Sequence, residues 1–176
     1  MPNSVADRFH NLHFTVPGSH ISGKAVLYAG LAAGVVFLVL ELIFAPLFMG
    51  LSSWVPVRMI AAITMGPSAL LPPNTMEVGP LMAATIIHFA LSLFYALVFA
   101  FIAKGRSRMT DTMLGAGFGL VVYLVNFYGF VYLFPWFAEA RHWASIASHV
   151  AFGAVLGYVY AMYAKRYAKW DHLDHP

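Results

Sequence analysis

Four residues able to do chemistry interrupt otherwise apolar stretches: Glu41, His88, Asn126 and His149. A carboxylate and two imidazoles can hold a metal ion or relay protons, a histidine pair can ligate a haem iron, and an amide can orient any of these groups. Ionisable side chains are costly inside a bilayer, so each calls for a partner or a task.

Three site chemistries follow from the residue types. His88 and His149 could hold haem b as a bis-histidine pair. Glu41, His88 and His149 could form a transition-metal site completed by Asn126 or water. The same groups could move protons or ions, although only Tyr95, Tyr123, Tyr158 and Tyr160 would continue such a path. The structural alternative is glue: both histidines hydrogen-bond to Glu41, Asn126 and Ser92, each bond contributing ~0.6 kcal/mol in a membrane bundle. Glu139 and His142 read as a surface turn, and the terminal histidines, His10, His13, His20, His172 and His175, are not at firm ligand spacing. The chain has no cysteine, and no nucleotide loop, nucleophile elbow or zinc-protease helix is present. An autonomous enzyme is therefore not expected.

The elements that must position these groups are set by hydropathy. Of 176 residues, 61% are hydrophobic and 10% charged, with a mean hydropathy of +0.75. Continuous apolar runs near 25–49, 81–103, 113–134 and 144–164 are each long enough to cross ~30 Å of hydrocarbon as a helix. None alternates as a barrel strand would. The expected fold is all-α: an integral membrane four-helix bundle over 25–164, preceded by a polar segment at 1–24 and followed by a tail at 165–176. The first run is too long for a cleavable signal core and reads as an anchor.

Basic residues fall mainly in the N-terminal segment (Arg8, Lys24), the middle loop (Lys104, Arg106, Arg108) and the tail (Lys165, Arg166, Lys169), with only Arg58 and Arg141 in the other two loops. The positive-inside rule then predicts both termini and the middle loop on the cytoplasmic side of a bacterial inner membrane. Topology accounts for the positive charge, and no nucleic-acid partner is expected.

Segment one carries Gly30, Gly34 and Glu41; segment three repeats this spacing with Gly115, Gly119 and Asn126. Ala83, His88, Ala90, Val98 and Ala100 of segment two align with Ala144, His149, Ala151, Val159 and Ala161 of segment four. Steps of four and seven return to one helix face, so the pattern predicts two tandem helical hairpins. Counted at ~1.5 Å per residue, the four polar residues lie at one depth in the outer half of the membrane. Small stripes, Ala84-His88-Ser92-Ala96 and Ser145-His149-Gly153-Gly157, turn both histidines toward protein. The apolar first outer loop, Gly50 to Pro80, should carry a short helix capped by Ser53 and running to Met65, lying on the membrane surface or folded over the bundle. Trp54, Trp136 and Trp143 would form an outer aromatic belt.

The stretch from Gly119 to Phe130, then Leu133 to Arg141, and the stretch from Arg58 to Pro67 resemble a family of small four-helix bacterial inner-membrane proteins. Some members carry a sodium:solute symporter label, but four helices are too few for that fold with its broken-helix repeats. The functional expectation is an accessory or assembly subunit of a larger membrane complex, with a respiratory complex foremost, in contact with lipid and with other subunits or further copies of itself. The small stripes and apolar loop motivate it, as surface that packs against other helices. The alternatives are a haem- or metal-bearing redox protein and a small proton, ion or solute carrier.

Overall fold

The computed structural model describes the backbone of residues 13–16, 19–103 and 107–174, and the side chains of residues 21–103 and 107–164. The side chains of Arg8, Lys104, Arg106, Lys165, Arg166 and Lys169, and those of the terminal histidines, lie outside the described residues.

Four helices are long and apolar enough to span a membrane: α1 (Gly23–Phe48), α3 (Val78–Ile102), α4 (Arg108–Leu124, with its irregular continuation to Tyr132) and α5 (Trp143–Asp174, apolar to Ala164). A shorter helix, α2 (Trp54–Met65), sits between α1 and α3 in sequence. The protein is an all-α, multi-pass membrane bundle. α1 packs on α3, α4 on α5, and α1 on α5, so the two hairpins join through α1 and α5, while α3 and α4 barely meet.

The hairpins obey the internal repeat contact by contact. A Cβ on Gly34 would press on Ser92 and one on Gly30 on Ala96; at the equivalent positions, Gly119 meets Gly153 and Gly115 meets Gly157. In the first hairpin, α3 side chains reach α1 backbone: Ser92 Oγ donates to Gly30 O at 2.6 Å and His88 Nε2 to Gly34 O at 2.8 Å. In the second, glycine faces glycine, and a Cβ on Gly115, Gly119, Gly153 or Gly157 would run into a carbonyl oxygen of the opposite helix. The small stripes are thus consumed within the chain. This corrects their assignment as surface for other subunits.

Local chemistry moves several boundaries away from those expected. Ser107 Oγ accepts from Thr110 N at 3.1 Å, and this cap draws the polar residues from Arg108 to Thr112 into α4, ahead of the expected start at 113. The run 113–134 is not one continuous α-helix. Its α-helical bonding stops at Leu124 and gives way to a π-turn at Val125–Gly129 and 3₁₀ turns at Phe130–Tyr132 and Pro135–Ala140. Within the π-turn the Phe127 carbonyl accepts from Arg141 Nε at 2.8 Å, and the Arg141 guanidinium lies over the Tyr128 ring. Within the polar segment before α1 lies a two-stranded antiparallel ribbon, β1 (His13–Val16) and β2 (Ser19–Ser22), and Ile21 is buried in the core.

Ser53 does not cap α2 through its side chain. Its hydroxyl donates instead to Leu42 O at 2.8 Å. Pro46, inside α1, has no N–H to offer the carbonyl four residues before it, and Ser53 supplies the missing donor. α2 folds over the bundle, packing Val57, Ala61 and Ala62 toward Ala84 of α3. Arg58, 2% exposed, holds the following loop in place: it donates to the carbonyls of Ala69, Leu71 and Thr75 and to the Thr75 hydroxyl, and it pairs with Glu77 at 2.8 Å. From the second loop Trp136 Nε1 donates to Met59 O at 3.0 Å, so one tryptophan of the expected belt joins the two loops.

Candidate functional site

The π-turn after α4 puts Asn126 against α5 and α3 at once. Asn126 Oδ1 accepts from Tyr95 OH at 2.8 Å, and Nδ2 lies 3.4 Å from His149 Nε2. His149 is 4% exposed, and its Nδ1 is 2.7 Å from the Ser145 carbonyl one turn back. A carbonyl only accepts, so Nδ1 carries the proton and Nε2 presents the lone pair to the amide. The same reasoning places the proton of His88 on Nε2, bonded to Gly34 O.

Glu41, from α1, lies beside Ser148 of α5, whose hydroxyl donates to Ala144 O at 3.1 Å. Its Oε1 is enclosed and has no hydrogen-bond partner. Phe37, one helical turn before Glu41, packs on both imidazoles, at 5.6 Å from the His88 ring and 4.7 Å from that of His149.

Glu41, His88, Ser92, Tyr95, Asn126 and His149 all line one cavity of about 360 Å³. The rest of its wall is apolar: Phe37, Phe127, Phe137 and Phe152 around the polar level, Met59, Ile60 and Ile63 of α2 above it, and Leu91 and Phe130 at its rim. Leu91 and Phe130 are also exposed on the outer surface of the bundle, so the cavity reaches the seam where α3 and α4 do not pack. Toward the end of the bundle that carries the termini, the ring contacts Tyr95–Phe118 and Phe99–Phe118 close this seam.

The structure therefore gathers the four expected polar residues and Ser92 around one space, but not as a cofactor centre. Among the described residues no group of three histidine or acidic side chains is arranged to hold a metal ion. A bis-histidine haem at His88 and His149 does not fit this arrangement either. Phe37 packs on both rings where a macrocycle would have to enter, and His149 Nε2 faces the Asn126 amide at 3.4 Å. At the expected surface turn, His142 Nδ1 accepts from Ala144 N at 3.2 Å and caps α5, while Glu139 is exposed.

Phe37 and Ser148 belong to the site without having been singled out by residue type, and Tyr95, expected only as a continuation of a proton path, bonds directly to Asn126. Tyr95 stands seven residues after His88, and Phe37 four before Glu41, spacings that return to the same helix face and could have flagged both. Compared with known proteins, the chain matches no family model, no curated protein and no solved structure.

Proposed function

We propose that this chain is a multi-pass bacterial inner-membrane protein, both termini cytoplasmic, that takes a small lipophilic molecule from the bilayer into the cleft between α3 and α4. One observation carries the reading: a cavity of about 360 Å³ walled by aliphatic and aromatic side chains gathers Glu41, His88, Ser92, Tyr95, Asn126 and His149 and is lined from both α3 and the segment after α4, including the exposed Leu91 and Phe130. An apolar enclosure with a few convergent polar groups is the ordinary form of a small-molecule site. The topology rests on the positive-inside rule, with Lys24 and Arg108 at one end of the bundle and most of the remaining Lys and Arg falling in the same sequence segments, against Arg58 and Arg141 at the other end.

The test is saturable binding of a solvatochromic lipophilic probe to the protein in phosphatidylcholine nanodiscs. Wild type should bind about one probe per chain, and Leu91→Trp, which narrows the mouth, should bind it markedly less. Non-saturable uptake unchanged by the substitution would sink the proposal.

A second reading is an accessory or assembly subunit of a larger membrane complex, with a respiratory complex as the candidate. What favours it is the apolar surface left over: only 17% of the α1 span and 28% of the α3 and α4 spans are buried within the chain. In mild detergent such a subunit should migrate with partners or further copies. Migration as a lone chain would remove this reading and leave the cleft untouched.

A further inference from the structure

We infer that the cleft takes the chain of a single-chain amphiphile resident in the leaflet at the α2 end of the bundle, with the polar head left at the membrane surface. This rests on the cleft reading above and specifies the class of ligand and the leaflet that supplies it.

The cavity occupies one half of the membrane. The midpoint of α1 falls at residues 35–36, and its lining residues Phe37 and Glu41 lie on the α2 side of it. On α5 the apolar span 143–164 has its midpoint at 153–154, and His149 and Phe152 again lie toward α2. The span from Arg108 to Tyr132 has its midpoint at 120, and its lining residues, from Val122 to Phe130, all lie beyond it on the same side. Only α3 contributes residues past its own midpoint, residue 90: Leu91, Ser92 and Tyr95. Helix side chains lean toward the N-terminus, which for α3 is the α2 end, and Tyr95 reaches Asn126 in that direction. Past this level the interior is filled: Phe99, fully buried, meets Phe118 and Tyr160.

Length and charge both favour a chain with its head outside. From Phe37 to Met49, which also lines the cavity beyond the end of α1, is ~18 Å at ~1.5 Å per residue, comparable with the ~15 Å of one leaflet's hydrocarbon. A chain lying along the cavity therefore has one end near the midplane and the other at the surface. Of the lining side chains only Glu41 is acidic and none is lysine or arginine, so a phosphate-bearing head would lose its hydration inside without meeting a cation. The volume of about 360 Å³ is near the low end of the ~300–1,000 Å³ usual for ligand sites, room for one chain and not for a pair. The exposed lining residues Leu91 and Phe130 flank the seam between α3 and α4, one near the midplane and one near the surface, which gives a chain a sideways way in.

The probe is a lysophosphatidylcholine carrying a photoactivatable diazirine midway along its chain. It is added sparingly from outside to sealed phosphatidylcholine vesicles that hold the full chain in both orientations, with an epitope appended at its C-terminus. External protease removes the epitope only from chains whose termini face outward. Chains that keep it present the α2 end to the probe's leaflet and should be labelled, saturably, at the buried lining residues Phe127 and Phe152. Their labelling should exceed that of the cleaved chains about tenfold, because desolvation of the head holds the probe in the leaflet it entered. Equal labelling in the two orientations, or an excess in the cleaved chains, would overturn the inference. No saturable labelling in either orientation, while the solvatochromic probe still binds in nanodiscs, would overturn it and leave the cleft reading standing. If neither probe binds saturably, the inference and the cleft reading both fail.

Discussion

Tyr95 OH donates to Asn126 Oδ1 at 2.8 Å, and this bond ties α3 to the π-turn after α4 across a seam where the two helix backbones hardly approach one another. Asn126 sits within reach of α3 only because α4 abandons α-helical bonding at Leu124. A π-turn redirects the side chains that follow it, and such turns frequently mark functional positions. The seam is thus pinned by polar groups at the level of the cavity and by aromatic rings beyond it.

Tyr95→Phe removes that pin and keeps the ring contacts with Phe118 and Phe152. It leaves the Asn126 carbonyl oxygen without its donor, at an expected cost of about 1 kcal/mol. Denaturant titration in detergent should show that loss, and probe exchange from the cleft should accelerate. Unchanged stability together with unchanged exchange would show that the seam is held elsewhere.

Glycines on the α4–α5 interface should not be interchangeable with glycines outside it. A Cβ on Gly153 would collide with the Gly115 carbonyl, whereas one on Gly117 meets nothing. Gly153→Ala should therefore destabilise by about 1–3 kcal/mol through forced separation of the helices. Gly117→Ala should be neutral or slightly stabilising, by up to about 1 kcal/mol from helix propensity. Thermal unfolding of the pair checks the contrast.

Arg58 and Glu77 form an ion pair whose partners should respond very differently to removal. Arg58 is buried and serves three backbone carbonyls besides the carboxylate, while the Glu77 side chain is 51% exposed. Arg58→Met should open the loop between α2 and α3 and cost roughly 3 kcal/mol or more, because those carbonyls lose their donor. Glu77→Gln should cost under about 1 kcal/mol, as exposed pairs do. Limited proteolysis between Gly66 and Glu77 would report the opening.

Ser53 and Pro46 should be coupled. Ser53→Ala leaves Leu42 O without a donor and should cost about 1 kcal/mol. In a Pro46→Ala background the new backbone N–H can bond Leu42 O, and the same serine substitution should cost little. A double-mutant cycle on unfolding free energy measures the coupling. Additive effects would mean that Ser53 does not stand in for the proline's missing donor.

How much of this was legible beforehand can be traced residue by residue. Four spans followed from apolar length alone, because a helix is the way a single apolar segment satisfies its backbone in hydrocarbon. The hairpin pairing followed from Gly30 and Gly34 recurring as Gly115 and Gly119, since only small residues let helix backbones approach so closely. Counting rise per residue brought Glu41, His88, Asn126 and His149 to one level, and they do line one cavity. Rotation about each helix axis was less accessible than depth. Phe37 interposes against both imidazoles, and the backbone carbonyls of Gly34 and Ser145 take the histidine protons, which no residue spacing announces.

Arg58 makes the same point from the loop. In sequence it is one of two cations in the sparsely charged connections, a mark of topology; in three dimensions it organises the loop between α2 and α3. Its partners lie eleven to nineteen residues away. Sequence determined that this is a four-span helical membrane protein with an internal repeat and a buried polar level, because hydrophobicity and helical periodicity act along the chain. Tertiary structure alone decided that these groups line an apolar cavity with Phe37 packed on both imidazoles, because side-chain contacts and hydrogen-bond partners are settled between segments distant in the chain.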